Sequence, residues 1–146
     1  MDTIQLAHGG GGKLTDDLIA TVIFKYLPRP SALLDSACIS VEPGWLAFTT
    51  DSYVISPIFF PGGDVGKLAV FGTCNDLAMV GAVPQYLSLG LIIEEGFALS
   101  DLHRVMQSLA ATAAESGVTV VTGDTKVVAH GQTDGIYINT SGIGRV

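Results

Sequence analysis

The order of apolar and polar positions along the chain predicts helices and strands in turn. Apolar residues recur at helical spacing over residues 13–27, and Pro28 and Pro30 end that helix. Residues 36–41 (SACISV) and 45–55 (WLAFTTDSYVI) have the composition of strands and are separated by the turn residues EPG. We therefore expect these two strands to pair as a hairpin.

The second half of the chain predicts a helix, a strand, a helix and two strands. Residues 61–84 begin with turn residues and then run for about five helical turns before Pro84. A strand follows over residues 85–95, and then a helix with Ser100 as N-cap and Gly117 just past its end. The last two strands are VTVVTGDTKVV and GIYINTSGIG. These helices and strands fit one domain over residues 1–146.

Composition limits the functions open to the chain. Of the 146 residues 48% are apolar, and the mean hydropathy of +0.48 is enough for a substantial core. The net charge is -7 and the seven basic residues are scattered, which disfavours nucleic acid as a partner. No signal peptide and no run of about 18 apolar residues is present, so we expect a cytoplasmic protein without membrane contact. High hydropathy with few charges favours association with a partner.

Charged residues interrupt three apolar segments. Asp51 lies mid-strand, Asp76 follows Asn75 on the predicted 61–84 helix, and Asp124 and Lys126 share one face of the strand VTGDTKVV. Buried carboxylates are costly without a partner, so three of them suggest a shared cation, and oxygen ligands favour Mg²⁺. Alternatively, Asp76 is an exposed helix residue, Asp51 ends a strand, and Asp124 and Lys126 form a structural ion pair.

Helix geometry separates Lys67 from Asp76. The two residues are nine positions apart, and at about 100° per residue they face opposite sides of an ideal helix. They reach one ligand only if the helix begins after Lys67.

The segment HGGGGKL, residues 8–14, is neither a P-loop nor a dinucleotide fingerprint. Ala7 and Leu14 occupy the positions of the first Gly and of the hydroxyl residue, and too few residues precede the segment for a strand. It is either a glycine loop before a helix N-terminus, suited to an anion, or a disordered tail. Cys38 and Cys74 lie in apolar segments, which favours core positions over a catalytic role for both residues. The three histidines lack metal spacing.

A family resemblance rests on long, ordered motifs. The stretches QLAHGGGGK, FFPGGDVGKLA, FGTCNDLAMVGAVPQYLS, VTGDTKVV and INTSGIG closely resemble the N-terminal half of the HypE-type hydrogenase maturation proteins. These proteins belong to the superfamily of aminoimidazole-ribotide (AIR) synthetase and selenophosphate synthetase. A selenophosphate synthetase is disfavoured, because residues 1–15 contain no cysteine.

The resemblance implies an ATP- and Mg²⁺-dependent carbamoyl dehydratase. Such an enzyme dehydrates a thiocarboxamide on its own C-terminal cysteine to a thiocyanate, the source of the cyanide ligands of [NiFe]-hydrogenase. The resemblance also implies an α/β (α+β) fold over residues 1–146, with a mixed sheet that is flanked by helices and pairs across a homodimer. The implied partners are a HypF-type carbamoyltransferase and the HypC/HypD scaffold.

The resemblance assigns roles to residues by position. The expected metal ligands are Asp51, Asp76, Asp124 and, from LDSA, Asp35. The expected nucleotide contacts are Lys67, Asn75, Gly123, Asp124, Thr125 and Lys126. Asp76 and Lys126 are the expected catalytic residues.

The chain departs from the family in one respect. We expect it to lack the second domain and the cysteine tail of HypE-type proteins, and therefore to be inactive alone. A second hypothesis is a dimerisation and docking module for hydrogenase maturation partners, without catalysis of its own.

Overall fold

The sheet organises the fold. The structure is a computed structural model that describes residues 3–29, Gly44 and residues 46–146. The four strands of the sheet are β1 (Leu46–Tyr53), β4 (Val83–Glu94), β5 (Thr119–Val128) and β6 (Ile136–Arg145), and a separate short pair consists of β2 (Phe59–Phe60) and β3 (Gly63–Asp64). The order in the sheet is β1-β6-β4-β5, and β4 and β5 are parallel while the other two pairs are antiparallel. The predicted α/β class with a mixed sheet is confirmed.

The described residues form three α-helices, α1 (Lys13–Leu18), α2 (Val65–Met79) and α3 (Leu99–Glu115). α3 connects β4 to β5, as a parallel pair requires. α2 and α3 pack on the same face of the sheet, and none of the described helices covers the opposite face. We call this opposite face the open face. It carries Gly90 and the side chains of Phe48, Thr50, Ser52, Tyr86, Ser88, Ile92, Thr122, Asp124, Lys126, Asn139, Ser141 and Ile143.

One hydrophobic core lies between the sheet and the helices. In β4 every second residue is buried, at Leu87, Leu89, Leu91 and Ile93. In α3 the fully buried residues are Leu102, Val105, Met106 and Leu109, a spacing of three and four that faces one side of a helix. Cys74 also lies in this core, as predicted, and burial raises the pKa of its thiol. No helix in the described ranges is long and apolar enough to cross a membrane. The cytoplasmic location stays a prediction.

Helix α2 is shorter than the five turns predicted. It has 15 residues, or roughly four turns. It begins at Val65 because Oδ1 of Asp64 accepts hydrogen bonds from the backbone amides of Gly66 and Lys67, at 2.8 and 3.1 Å. It ends before Gly81, whose φ of 79° is left-handed. Pro84 lies inside β4 and does not end the helix.

The prediction of Ser100 as the N-cap of α3 is wrong. The N-cap position is Ala98, and the helix begins at Leu99. The N-terminal segment holds the preceding backbone extended, because the amide of Ile4 donates to the carbonyl of Phe97 at 2.9 Å and Thr3 bridges to Ala98. The predicted C-terminal glycine is confirmed, since Gly117 has φ of 69° after the C-cap Ser116.

The predicted helix over residues 13–27 is only partly α-helical. After α1 the chain continues as a π-helix, Ile19–Ile23, in which the amide of Phe24 bonds the carbonyl of Ile19. The wider turn keeps the neighbouring side chains Val22 and Ile23 both buried, so core packing overrides the α-helical period. The predicted strand over residues 36–41 lies outside the described residues, and the described neighbour of β1 is β6.

Candidate functional site

Asp51 lies on β1, on the sheet face that α2 covers. The strand register pairs Asp51 with Thr140 of β6, and the side chain of Asp51 is half-buried. The Tyr53 hydroxyl donates to Oδ2 of Asp51 at 3.0 Å. The Tyr53 hydroxyl is also 3.1 Å from Oγ1 of Thr73, a fully buried residue of α2. The Tyr53 hydroxyl thus holds the Asp51 carboxylate, and Thr73 contacts that hydroxyl from α2.

Tyr53 remains a proton donor at neutral pH. Burial raises the pKa of its hydroxyl most strongly. The contact with Thr73 lowers this pKa, while the hydrogen bond to Asp51 and the charge of Asp51 raise it, and the net direction is upward. The Tyr53 hydroxyl therefore keeps the proton that it donates to Asp51.

Asp76 lies on α2, the helix that packs against β1, and it contacts β1 two residues from Asp51. The hydroxyl of Thr49, which shares a strand face with Asp51, donates to Oδ2 of Asp76 at 3.4 Å. Asp76 itself is exposed, so the expectation of a buried carboxylate is wrong here. Asn75 precedes Asp76 on α2 and is also exposed. We call the region between the two elements that carries Asp51 and Thr49 on β1 and Asp76 on α2 the β1–α2 crevice.

Asp124 and Lys126 lie elsewhere. Both are exposed on the open face, next to Gly90 and Ile92 of β4, which confirms that they share one strand face. Asp51 is on the opposite face, on the far edge strand of the sheet. Three strand spacings separate β1 from β5, about 14 Å. The predicted cluster of three buried carboxylates is therefore wrong for a single chain.

Gly123 and Thr125 alternate with Asp124 and Lys126 on β5. They point to the core face, beside Leu89 and Leu91 of β4. Only a glycine fits at position 123, because an added Cβ would overlap the carbonyl oxygen of Leu89. The chain therefore approaches β4 closely just before Asp124.

Lys67 and Asp76 lie far apart on α2. Helix α2 begins at Val65, before Lys67, so the nine-residue separation spans about 13.5 Å along the axis. The Nζ of Lys67 lies 3.4 Å from the carbonyl oxygen of Gly62 and 5.7 Å from the centre of the Phe71 ring. Asp35 and Cys38 lie outside the described residues.

The glycine-rich N-terminal segment packs beside β5. Residues Leu6–Gly9 form a 3₁₀ turn, and a Cβ added to Gly9 would lie 2.7 Å from the backbone nitrogen of Val127. The hydroxyl of Thr15 in α1 accepts a hydrogen bond from the amide of Gly11 at 2.9 Å. The segment thus has defined contacts, unlike the tail that was one of the two alternatives, and it lies one residue from Lys126.

The two carboxylates of the β1–α2 crevice are chemically suited to a magnesium ion. Mg²⁺ is usually held by one or two carboxylates, with water and substrate phosphates completing the shell. Residues 3–29, 44 and 46–146 contain no group of three or more acidic, histidine or cysteine side chains placed for a metal. The histidines have other contacts: Nδ1 of His103 lies 2.9 Å from the Tyr26 hydroxyl, and Nδ1 of His130 lies 3.3 Å from Glu94.

Sequence reasoning missed the hydroxyl groups of the site. Thr49 and Tyr53 alternate with Asp51 on one strand face, which is a signal that they share its surroundings. Thr73 and Thr140 carry no such signal, because they lie on other elements, α2 and β6, and nothing local in the sequence shows that these elements meet at Tyr53.

Comparison with known proteins gives a consistent family. The model of the AIR synthase related protein, N-terminal domain, matches residues 34–146. The "Carbamoyl dehydratase HypE" of Azotobacter vinelandii is 51% identical over 146 residues, covering 99% of this chain and 43% of that protein. The corresponding protein of Escherichia coli K12 is 48% identical, covering 100% of this chain and 46% of that protein.

Solved structures agree. The crystal structure of the hydrogenase maturation protein HypE in complex with ATP superimposes with a TM-score of 0.95 at 48% identity, covering 99% of this chain and 43% of that chain. This chain therefore spans less than half the length of these relatives. Because the family model covers most of its length, the chain belongs to the AIR synthase related proteins, as their N-terminal domain.

Proposed function

We propose that this chain is the nucleotide-binding part of an ATP- and Mg²⁺-dependent carbamoyl dehydratase that acts in [NiFe]-hydrogenase maturation. Two comparisons support the proposal. Several curated proteins named carbamoyl dehydratase HypE have about 50% sequence identity to this chain over almost its whole length. A HypE with this fold has been crystallised with ATP.

The β1–α2 crevice is the observation that carries the proposal. Asp51 and Asp76 would hold Mg²⁺ together with the phosphates of ATP. The bound ion would neutralise charge on the transferring phosphoryl group. Asn75, which precedes Asp76 on α2 and is also exposed, would contact a phosphate oxygen. Lys67, at the far end of α2, reaches a nucleotide here only if the ligand extends along the helix.

Asp124 and Lys126 belong to a second part of the site. With the backbone at Gly123 and with Thr125, we assign them to nucleotide contacts, and Lys126 to stabilisation of phosphoryl charge. Because they lie on the open face of β5, they meet a nucleotide held at β1 only across a contact with another surface. A second copy of the chain is the simplest source of that surface.

The open face is suited to such a homodimer. It exposes apolar side chains, with 70% of Phe48 and 42% of Ile92 accessible. It also carries one acidic and one basic residue close together, Asp124 and Lys126. A two-fold axis across this face lets the carboxylate of one copy approach the ammonium of the other.

The proposed chemistry is a phosphorylation followed by an elimination. The carboxamide oxygen of a cysteine-bound thiocarboxamide attacks the γ-phosphorus of ATP, and ADP leaves. The carbon–oxygen bond then breaks with loss of phosphate. Together the two steps remove both nitrogen-bound protons, and the thiocyanate forms. The exposed carboxylate of Asp76 would accept one of these protons.

The test measures binding, because the chain matches less than half of each relative. ATP is titrated calorimetrically into the wild type, Asp76→Asn and Asp134→Asn, with and without Mg²⁺. Asp134 is an exposed acid before β6 and serves as the matched control. We expect Mg²⁺-dependent binding that Asp76→Asn loses and Asp134→Asn keeps. Equal binding by both variants would refute the role of the crevice.

The second candidate is a docking module without catalysis. The exposed apolar open face favours it, and so does a solved HypE–HypF complex, in which HypE matches 69% of this chain at a TM-score of 0.69. In this case the chain would bind a HypF-type carbamoyltransferase or the HypC/HypD scaffold. A chain that binds such a partner but no ATP, with light scattering of the same samples to report the dimer, would favour this candidate.

A further inference from the structure

A chain of hydroxyl groups leads from Asp51 into the core. Oδ2 of Asp51 meets the Tyr53 hydroxyl at 3.0 Å, which meets Oγ1 of Thr73 at 3.1 Å. Thr73 meets Oγ1 of Thr140 at 2.5 Å, and Thr140 donates to the carbonyl oxygen of Ala69 at 3.0 Å. Tyr53, Thr73 and Thr140 are all buried, at 7%, 0% and 1% exposed, so the chain is shielded from water.

The hydroxyl chain has fewer protons than contacts. Its three hydroxyl groups carry one proton each. They make four contacts, and both ends, an ionised Asp51 and the Ala69 carbonyl, only accept. One of the four contacts therefore has no proton.

The acceptors at the two ends show which contact that is. The Ala69 carbonyl has no proton to give, so Thr140 donates to it, and the short contact between Thr73 and Thr140 then takes its proton from Thr73. An ionised acceptor is the strongest competitor for a proton. The proton of Tyr53 therefore goes to Asp51, and Thr73 donates to Thr140.

Helix α2 leaves space for the Tyr53 hydroxyl. Gly72 lies mid-helix, where a glycine is unfavourable relative to alanine. A Cβ added to Gly72 would overlap the Tyr53 hydroxyl oxygen and lie 3.0 Å from Cε1 of its ring. The glycine therefore permits the close approach that places the hydroxyl against Asp51.

We propose that Tyr53 is the positioning residue of the site: its hydroxyl fixes the orientation of the Asp51 carboxylate for the cation and nucleotide. This proposal rests on the proposed function, because it gives Asp51 a ligand to be oriented for. It names Tyr53 as a residue that acts through Asp51 and does not itself touch ATP.

Three variants test the proposal. Tyr53→Phe removes the donor to Asp51. Tyr26→Phe is the matched control, because Tyr26 also has a hydroxyl bonded to a side chain, His103. Thr73→Val removes the neighbouring hydroxyl but leaves the bond from Tyr53 to Asp51. Calorimetry gives the Kd of Mg·ATP, and thermal unfolding checks that each variant is folded.

We expect Tyr53→Phe to weaken Mg·ATP binding about tenfold, since a hydrogen bond to a charged group is lost. Tyr26→Phe should change the Kd less than twofold, and Thr73→Val no more than about twofold. A folded Tyr53→Phe with the wild-type Kd would overturn the proposal. So would an equal loss for Thr73→Val, since the effect would then be one of packing.

A second readout separates this proposal from the proposed function. The proton NMR resonance of the Tyr53 hydroxyl should shift in Asp51→Asn and persist in Thr73→Val. If the wild type binds no Mg·ATP, the proposed function fails, and this resonance then decides the Tyr53–Asp51 bond alone. An unshifted resonance in Asp51→Asn would refute the bond.

Discussion

Replacing Gly9 by alanine should destabilise the protein, whereas the same change at Gly10 should not. A Cβ at position 9 would lie 2.7 Å from the backbone nitrogen of Val127 and 2.9 Å from its Cβ. Neither atom can rotate away, since one is backbone and the other is fixed to it. At position 10 the nearest atom to an added Cβ is the carbonyl oxygen of Ala7, at an ordinary 3.5 Å.

The magnitudes follow from these contacts. Overpacking of this kind costs about 1–3 kcal/mol. For a domain of this size about 1 kcal/mol corresponds to roughly 4 °C in Tm, so Gly9→Ala should lower Tm by about 4–12 °C. Gly10 has φ of -83°, which alanine adopts freely. Gly10→Ala should therefore stabilise by about 0.4–1 kcal/mol through the unfolded state and raise Tm by roughly 2–4 °C.

Thermal unfolding followed by circular dichroism measures both variants. If the strain in Gly9→Ala is relieved by release of the N-terminal segment, limited proteolysis should cut that segment faster, and Tm should still fall because the buried Ile4 loses its contacts. The reasoning would be refuted if both variants had the same Tm, or if Gly9→Ala were as stable as the wild type.

Three further predictions concern helix capping, pH and the core. Asp64→Ala should cost about 0.5–2 kcal/mol in the free energy of unfolding, because it removes the N-cap of α2, while Ser100→Ala should change it by less than about 0.5 kcal/mol; chemical denaturation of both measures the difference. The backbone amide of Gly131 is the largest of the causes that lower the pKa of Glu94, and burial opposes it. Because the pKa of Glu94 is lower in the folded than in the unfolded protein, ionised Glu94 stabilises the folded state at neutral pH. This stabilisation is lost as the pH falls below the ordinary pKa of glutamate and then through the pKa of Glu94 in the folded protein. Tm measured down to acid pH should therefore fall more steeply for the wild type than for Glu94→Gln. Gly142→Ala should cost about 1–3 kcal/mol, since its Cβ would come within 3.0 Å of two side chains of α2, and a Tm within about 2 °C of the wild type would contradict this.

The strand face shared by Asp124 and Lys126 could be predicted from sequence, because alternation is a local property. Their separation from Asp51 could not. It depends on β1 and β5 being the two edge strands of one sheet, and on which face α2 covers, and neither follows from local pattern. In the same way Ser100 matches a capping pattern, but the contact between Ile4 and Phe97, far apart in sequence, moves the start of α3.

The burial of the acidic residues was the less predictable part of the site. Asp76 sits on a helix rich in small apolar residues, which indicated burial, yet its own position on α2 faces solvent. Of Asp51, Asp76 and Asp124, only Asp51 is half-buried, and its partner Tyr53 comes from two residues along the same strand. Apolar neighbours in sequence thus predict that a helix or strand packs against the core, but they do not predict whether a given side chain on it points to the core or to solvent.

Asp51 and Asp124 lie on opposite faces and opposite edges of the sheet. A nucleotide site that uses both residues would therefore depend on protein concentration. If two copies must meet before both carboxylates reach one nucleotide, the fraction of competent sites follows the law of mass action. A dilute solution would then bind little ATP, and the bound fraction would rise with protein concentration until the protein is fully paired. ATP bound across the contact would, by the same linkage, hold the two copies together.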